Sequence, residues 1–143
     1  MINGPTLILR ALRYYGQKAV IGQGTNEQIL NFFKASGHPE ITEDEIPWCS
    51  AFINAIVIGC GGPATKALNA RSWLKVGTVI EKPDFGDIVV FWRGTKEGWQ
   101  GHVGLVVRLE GIRLWVLGGN QDNMVEIKEF NTENVLGYRR LEW

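Results

Sequence analysis

The chain has 143 residues, a length that fits one domain around a single core. Fifteen Lys and Arg balance fifteen Asp and Glu, so there is no excess positive charge to drive nucleic-acid binding. Apolar residues make up 45% of the sequence, near the soluble average, and no apolar run approaches the ~20 residues of a membrane helix, which excludes membrane insertion.

The opening MINGPTLILRALRYYG has no cationic region before its short apolar run and no small-residue cleavage site, so it does not read as a signal peptide. The expectation is a protein made in the cytoplasm and not exported by the general route. Pro5 suits a first helical turn, and Leu7, Ile8, Ala11, Leu12 and Tyr15 recur at amphipathic spacing up to Gly16. Thr25 is placed to cap a second helix carrying Ile29, Leu30, Phe32 and Phe33 and ending near Gly37. A loop from His38 to Pro47 gathers Glu40, Glu43, Asp44 and Glu45. Next comes PWCSAFINAIVIGCGG, apolar on nearly every side from Trp48 to Ile58 and closed by glycines. It predicts a helix buried in the centre of the domain, with Cys49 at its amino end. A shorter helix is expected over Ala64 to Leu74, so that the helical part covers about residues 1–76 of a single catalytic domain 1–143.

From Thr78 the pattern changes to short runs of β-branched and aromatic residues, giving a sheet over about residues 78–141. The runs are Asp87 to Trp92, His102 to Arg108, Ile112 to Leu117, Val125 to Phe130 and Val135 to Leu141, with Glu110-Gly111 as a hairpin signal. Helices followed by an antiparallel meander make an α+β domain.

A cysteine is a nucleophile as its thiolate, which the positive end of a helix and a neighbouring imidazolium both favour. Cys49 has the first. Cys60 lies eleven residues on, about 16 Å along one helix, too far for a disulfide, and reads as packing. Only two histidines are present. His38 sits beside Pro39 in a loop and reads as a surface residue, whereas His102 opens a strand after the loop GTKEGWQG, where a general base can face a cleft on a rigid backbone. If the next two strands form a hairpin, the chain returns past His102 at about Gly118 to Asp122. Asn120 and Asp122 are then the candidates to orient the imidazole, with Gln121 behind them. Two cysteines and two distant histidines make no tetrahedral zinc set, so no metal and no cofactor are expected. Of the six tryptophans, Trp73, Trp92 and Trp115 read as core, and Trp48 and Trp99 flank the candidate nucleophile and base.

PWCSAF opening a buried helix, then GDIVVFW, then GHVGLVV, then a polar residue on the following strand, resembles the papain-like cell-wall hydrolases of the CHAP and NlpC type, over roughly Glu45 to Arg139. The resemblance implies a papain-like fold, with N-terminal helices and the nucleophile on a central helix packed on a five- to six-stranded antiparallel sheet. In CHAP domains a Glu and an Asn stand two apart on the strand that follows the histidine strand. Asn120 falls on the Asn position, whereas Gly118 falls where many members have Glu. The implied set is Cys49, His102 and Asn120, with Asp122 as the alternative third member. Trp48 and Ser50 would line the cleft, Asp44 would meet a substrate amine, and Trp99 would touch ligand. A closer likeness, including LGGNQ, to compact phage and prophage lysin-like proteins implies peptidoglycan peptide as the substrate, cut at an amide or peptide bond. A monomer acting in the periplasm or at the wall is expected, and the lack of a signal peptide fits release by a holin or a secretion machine. The alternatives are a cysteine hydrolase effector acting on another amide, and an inactive wall-binding module of the same fold.

Overall fold

A computed structural model describes residues 2–20 and 24–143. Three α-helices come first: α1 (Gly4–Leu12), α2 (Glu27–Ala35) and α3 (Cys49–Gly59). A 3₁₀ turn over Ala70–Lys75 follows, then six strands: β1 (Thr78–Ile80), β2 (Ile88–Trp92), β3 (Gly101–Glu110), β4 (Arg113–Gln121), β5 (Met124–Asn131) and β6 (Val135–Arg140). All pairings are antiparallel, in the order β1-β6-β2-β3-β4-β5. The expected α+β class and buried central helix are present. The sheet is not a plain meander: β2 to β5 follow one another, and β6 then returns to lie between β1 and β2.

Some local expectations shift for identifiable reasons. The cap of α2 is Asn26 and not Thr25, because the Asn26 side chain accepts from the Gln28 N–H at 2.9 Å, a contact that contributes about 1 kcal/mol. The helix expected over Ala64 to Leu74 is reduced to its last turn. Two polar residues of α3 compete for the backbone upstream: Asn54 Oδ1 accepts from the Lys66 N–H at 2.8 Å, and Ser50 Oγ donates to the Ala67 carbonyl at 2.7 Å. Lys66 sits at a φ of 56°, which no helix interior adopts.

The helices cover one face of the sheet. Leu7, Ile29, Phe33, Phe52, Ile53 and Ile56 meet Ile88, Val90, Val103 and Leu105 in the main core, all essentially without exposure. The opposite face buries a second cluster, Val89, Phe91, Val106, Leu114, Val116 and Tyr138. The sheet covers this face itself by curling. Flat, β2 and β5 would stand three strand spacings or about 14 Å apart, yet the Phe91 and Phe130 rings approach to 4.9 Å. Alternation along β3 divides its side chains between the two faces. Val103 and Leu105 point to the helices, and His102, which pairs with Phe91, points into the curled side.

Gly86 and Asp87, just before β2, join the sheet to the chain ends. Gly86 has a φ of 90°, and a Cβ there would lie 2.1 Å from the Gly4 carbonyl carbon, so only glycine lets α1 dock. Asp87 is buried and accepts from Arg140 Nε at 2.9 Å and from another guanidinium nitrogen at 2.8 Å. Residues 2 and 143 exchange backbone bonds, Ile2 N–H to the Trp143 carbonyl at 2.7 Å and the reverse at 3.1 Å.

Candidate active site

Cys49 is the first residue of α3, and the preceding Trp48 offers no side-chain acceptor as a cap. The first-turn amides of the helix are therefore left for other partners. The backbone N–H groups of Val103, Ser50 and Cys49 itself favour the Cys49 thiolate, as does the Arg93 guanidinium. Burial outweighs them and pushes the Cys49 thiol above its ordinary value. The resting residue is thus a thiol that needs a base, and Val103 is the chain neighbour of His102.

His102 is buried, with its ring packed on Phe130 at 5.6 Å and on Phe91 at 6.1 Å. Its Nε2 lies 2.9 Å from Gln121 Oε1. The orientation of that amide is fixed from its other end, because Gln121 Nε2 donates to the Val116 carbonyl at 3.1 Å and to the Glu126 carbonyl at 2.9 Å. Only the oxygen can face the imidazole. The ring must then carry its proton on Nε2, and Nδ1 keeps the lone pair. Burial pulls the His102 pKa down to about 4; the Gln121 bond opposes this, and the charges of Arg93 and Lys128 add to it.

Cys49, His102, Asn120 and Trp99 all line one cleft of about 270 Å³, which Pro47, Leu68, Arg93 and Gln100 help to enclose. The other expected residues lie elsewhere. Asp122 is at the surface, paired with Lys128 at 2.9 Å. Asp44 is buried away from the cleft and accepts from the backbone N–H groups of Val20 and Asn26 at 2.9 and 2.7 Å, tying the acidic loop to the start of α2. Trp48 is fully buried against Phe32. Ser50 is fully buried as well and receives the Trp73 indole N–H at 3.0 Å, so with Asn54 it braces the wall at residues 67–70 from behind. Trp115, expected in the core, is only half-buried and lies beneath the guanidinium groups of Arg108 and Arg113.

The side chain bonded to His102 is that of Gln121, not Asn120, and a β-bulge is the reason. Gly118 pairs with Glu126 and Gln121 with Met124, so β4 advances three residues while β5 advances two. The extra residue is absorbed with Asn120 at a φ of 57°. In a regular strand residues 118 and 120 share a face. The bulge gives that face to 118 and 121 instead, and leaves Asn120 at the cleft rim. A Cβ on Gly118 would stand 2.4 Å from Gln121 Oε1 and 3.5 Å from His102 Nε2, so the Gln121 amide occupies the volume that a side chain at 118 would fill. Gly119 faces the other way, where a Cβ would meet the Trp48 ring at 2.7 Å.

Sequence reasoning also misses two arginines. Arg93, the first residue after β2, reaches the cleft and is, among the described residues, its one charged side chain. Arg71 clamps the β2–β3 loop that begins at Arg93, donating to the carbonyls of Gln100, Lys96 and Thr95 at 2.9, 2.8 and 2.8 Å. A basic residue just after the strand DIVVFW was a visible signal for Arg93; nothing in the sequence marks Arg71.

A curled antiparallel sheet with a helix-borne cysteine at the mouth and a strand-borne histidine beside it defines the papain-like α+β fold class. The chain belongs within it to the CHAP domain family, whose model matches residues 41–120, more than half of the sequence. Solved structures similar in fold include an NlpC/P60 family protein from Bacillus cereus, with 14% identity and a TM-score of 0.57 over 96% of this chain and 39% of that one. NlpC1 from Trichomonas vaginalis has 16% identity and a TM-score of 0.57 over 95% and 43%. A lipoprotein-like NLP/P60 family protein from Staphylococcus aureus has 20% identity and a TM-score of 0.51 over 96% and 41%. The chain spans about two fifths of the length of these proteins. No curated protein matches it.

Proposed function

We propose that this domain hydrolyses an amide or peptide bond of cell-wall stem peptide, with Cys49 as nucleophile, His102 as general base and acid, and Gln121 as the residue that positions the imidazole. One observation carries the reading. The thiol at an uncapped helix start and the imidazole, its Nε2 held by a fixed amide oxygen, open into the same cleft. Membership of a family of cell-wall hydrolases supports the substrate class.

As the sulfur attacks the carbonyl carbon, its proton passes to His102 Nδ1. The carbonyl oxygen gains the negative charge and takes a hydrogen bond from the backbone N–H of Cys49 at the helix start. The imidazolium then protonates the departing amine and leaves a thioester. Water, deprotonated by the same nitrogen, attacks the thioester, and the thiolate leaves and recovers its proton. Gln121 stays neutral throughout and holds the ring in the tautomer that accepts the thiol proton.

The test is release of new amino groups from purified sacculi of several wall chemistries. Wild type should release them and Cys49→Ala should not; equal yields from the two would overturn the proposal. Mass spectrometry of the released muropeptides identifies the bond.

A further inference from the structure

We infer that Arg93 reads a free carboxylate on the substrate beside the scissile amide. The inference rests on the thiol-hydrolase reading above and narrows its substrate to acidic peptides.

Arg93 follows directly on β2, and its backbone N–H donates to the Gln100 carbonyl at 3.1 Å, closing the neck of the β2–β3 loop. Its backbone is therefore held where sheet and lip meet, while its side chain is exposed at the cleft. Among the described residues the guanidinium has no ion pair and no side-chain hydrogen bond, unlike Arg71, Arg139 and Arg140, each of which donates at least two hydrogen bonds to neighbouring oxygens. Among the described residues the cleft lining holds no Asp or Glu; its other polar side chains besides the thiol and imidazole are the neutral amides of Asn69, Gln100 and Asn120 and the Trp99 indole. An anion in this cleft meets one cation and no carboxylate among the lining residues, and the nearest hollow with one is that of Glu133 beyond Arg93. Arg93 lines the same cleft as Cys49 and His102, so the bound anion would lie close to the reacting bond.

A second cavity of about 470 Å³ begins on the far side of Arg93 and is lined by Phe130, Asn131, Glu133 and Asn134. Arg93 thus stands at the junction of two hollows, where an extended peptide would pass it with a carboxylate within reach. Guanidinium binds a carboxylate through two parallel N–H···O bonds, a match that a carboxamide of the same shape cannot supply.

The probes are two synthetic tripeptides, alanyl-γ-glutamyl-lysine with its glutamyl α-carboxylate free and the same peptide with that group as carboxamide. Binding is measured on Cys49→Ala, which cannot turn them over, and on Cys49→Ala with Arg93→Gln. Cys49→Ala should bind the free acid at least about tenfold more tightly than the carboxamide, with a preference that weakens in salt. The added Arg93→Gln should bring that ratio near one. Equal binding of both peptides, binding of neither, or a preference that survives Arg93→Gln would overturn the inference. Turnover by the enzyme with Cys49 intact separates this from the broader proposal. Discrimination in binding without hydrolysis of any wall substrate would sink the hydrolase reading alone, and hydrolysis with no discrimination would sink the role of Arg93 alone.

Discussion

Gln121 reaches His102 because its oxygen enters a space that the missing side chain of Gly118 leaves open. The same acceptor position is therefore open to two points on β4. Gln121→Ala should lower kcat by about 10- to 100-fold, since a mis-set tautomer no longer takes the thiol proton. The Cys49 alkylation rate near neutral pH should fall with it. Adding Gly118→Glu to Gln121→Ala should restore a large part of the rate, because a carboxylate at 118 projects into the vacated volume. Gly118→Glu alone should be inactive, with its Cβ 2.4 Å from the Gln121 oxygen. Steady-state assays of the three variants check this, and failure of the double variant to exceed Gln121→Ala would show that more than an acceptor is required.

The cleft walls come from two unlike devices at the level of elements. One wall, residues 67–70, is held from inside the core by Ser50 and Asn54, one turn apart on α3. The other, the β2–β3 loop, is held from outside by Arg71, whose three carbonyl contacts lie at the surface. Arg71→Ala should free the lip that carries Trp99, raising KM several-fold with a smaller change in kcat. Global stability should shift by no more than about 1 kcal/mol, as denaturant unfolding would report. These walls also mark how far the sequence could be read. The placing of Cys49 at a helix start and of His102 on a strand was legible, because a buried apolar run and an alternating strand are strong local patterns. Ser50 was placed in the cleft because it follows the nucleophile, yet the helical turn rotates it about 100° away, into the core. The exchange of Asn120 for Gln121 turns on a single extra residue in a ladder, and no local pattern announces which residue of LGGNQ absorbs it.

For the whole molecule, the buried imidazole ties stability to pH. In the unfolded chain a histidine titrates near 6.5, whereas in the fold burial holds His102 at about 4. Between those values the unfolded chain binds a proton that the native state refuses. The contribution of His102 is thus complete above about pH 6.5 and is lost as the pH falls toward 4, to a total of up to about 3 kcal/mol. Urea unfolding at pH 7 and pH 4.5 should show wild type losing more stability than His102→Gln over that range. Equal losses would mean that the ring is hydrated in the native state. The fold class, by contrast, was legible from the outset, because the change of hydrophobic period near Thr78 separates helices from strands cleanly.

The backbone pair between Ile2 and Trp143 has a consequence in time. Together with the seating of Gly4 on Gly86, it ties the start of α1 to residues 86 and 143, so α1 cannot complete these contacts until residue 143 has been synthesised. Contacts of such long separation form slowly and late. A ribosome-bound fragment ending before Gln121 would hold the thiol without the amide that sets its base, and would be silent as an enzyme.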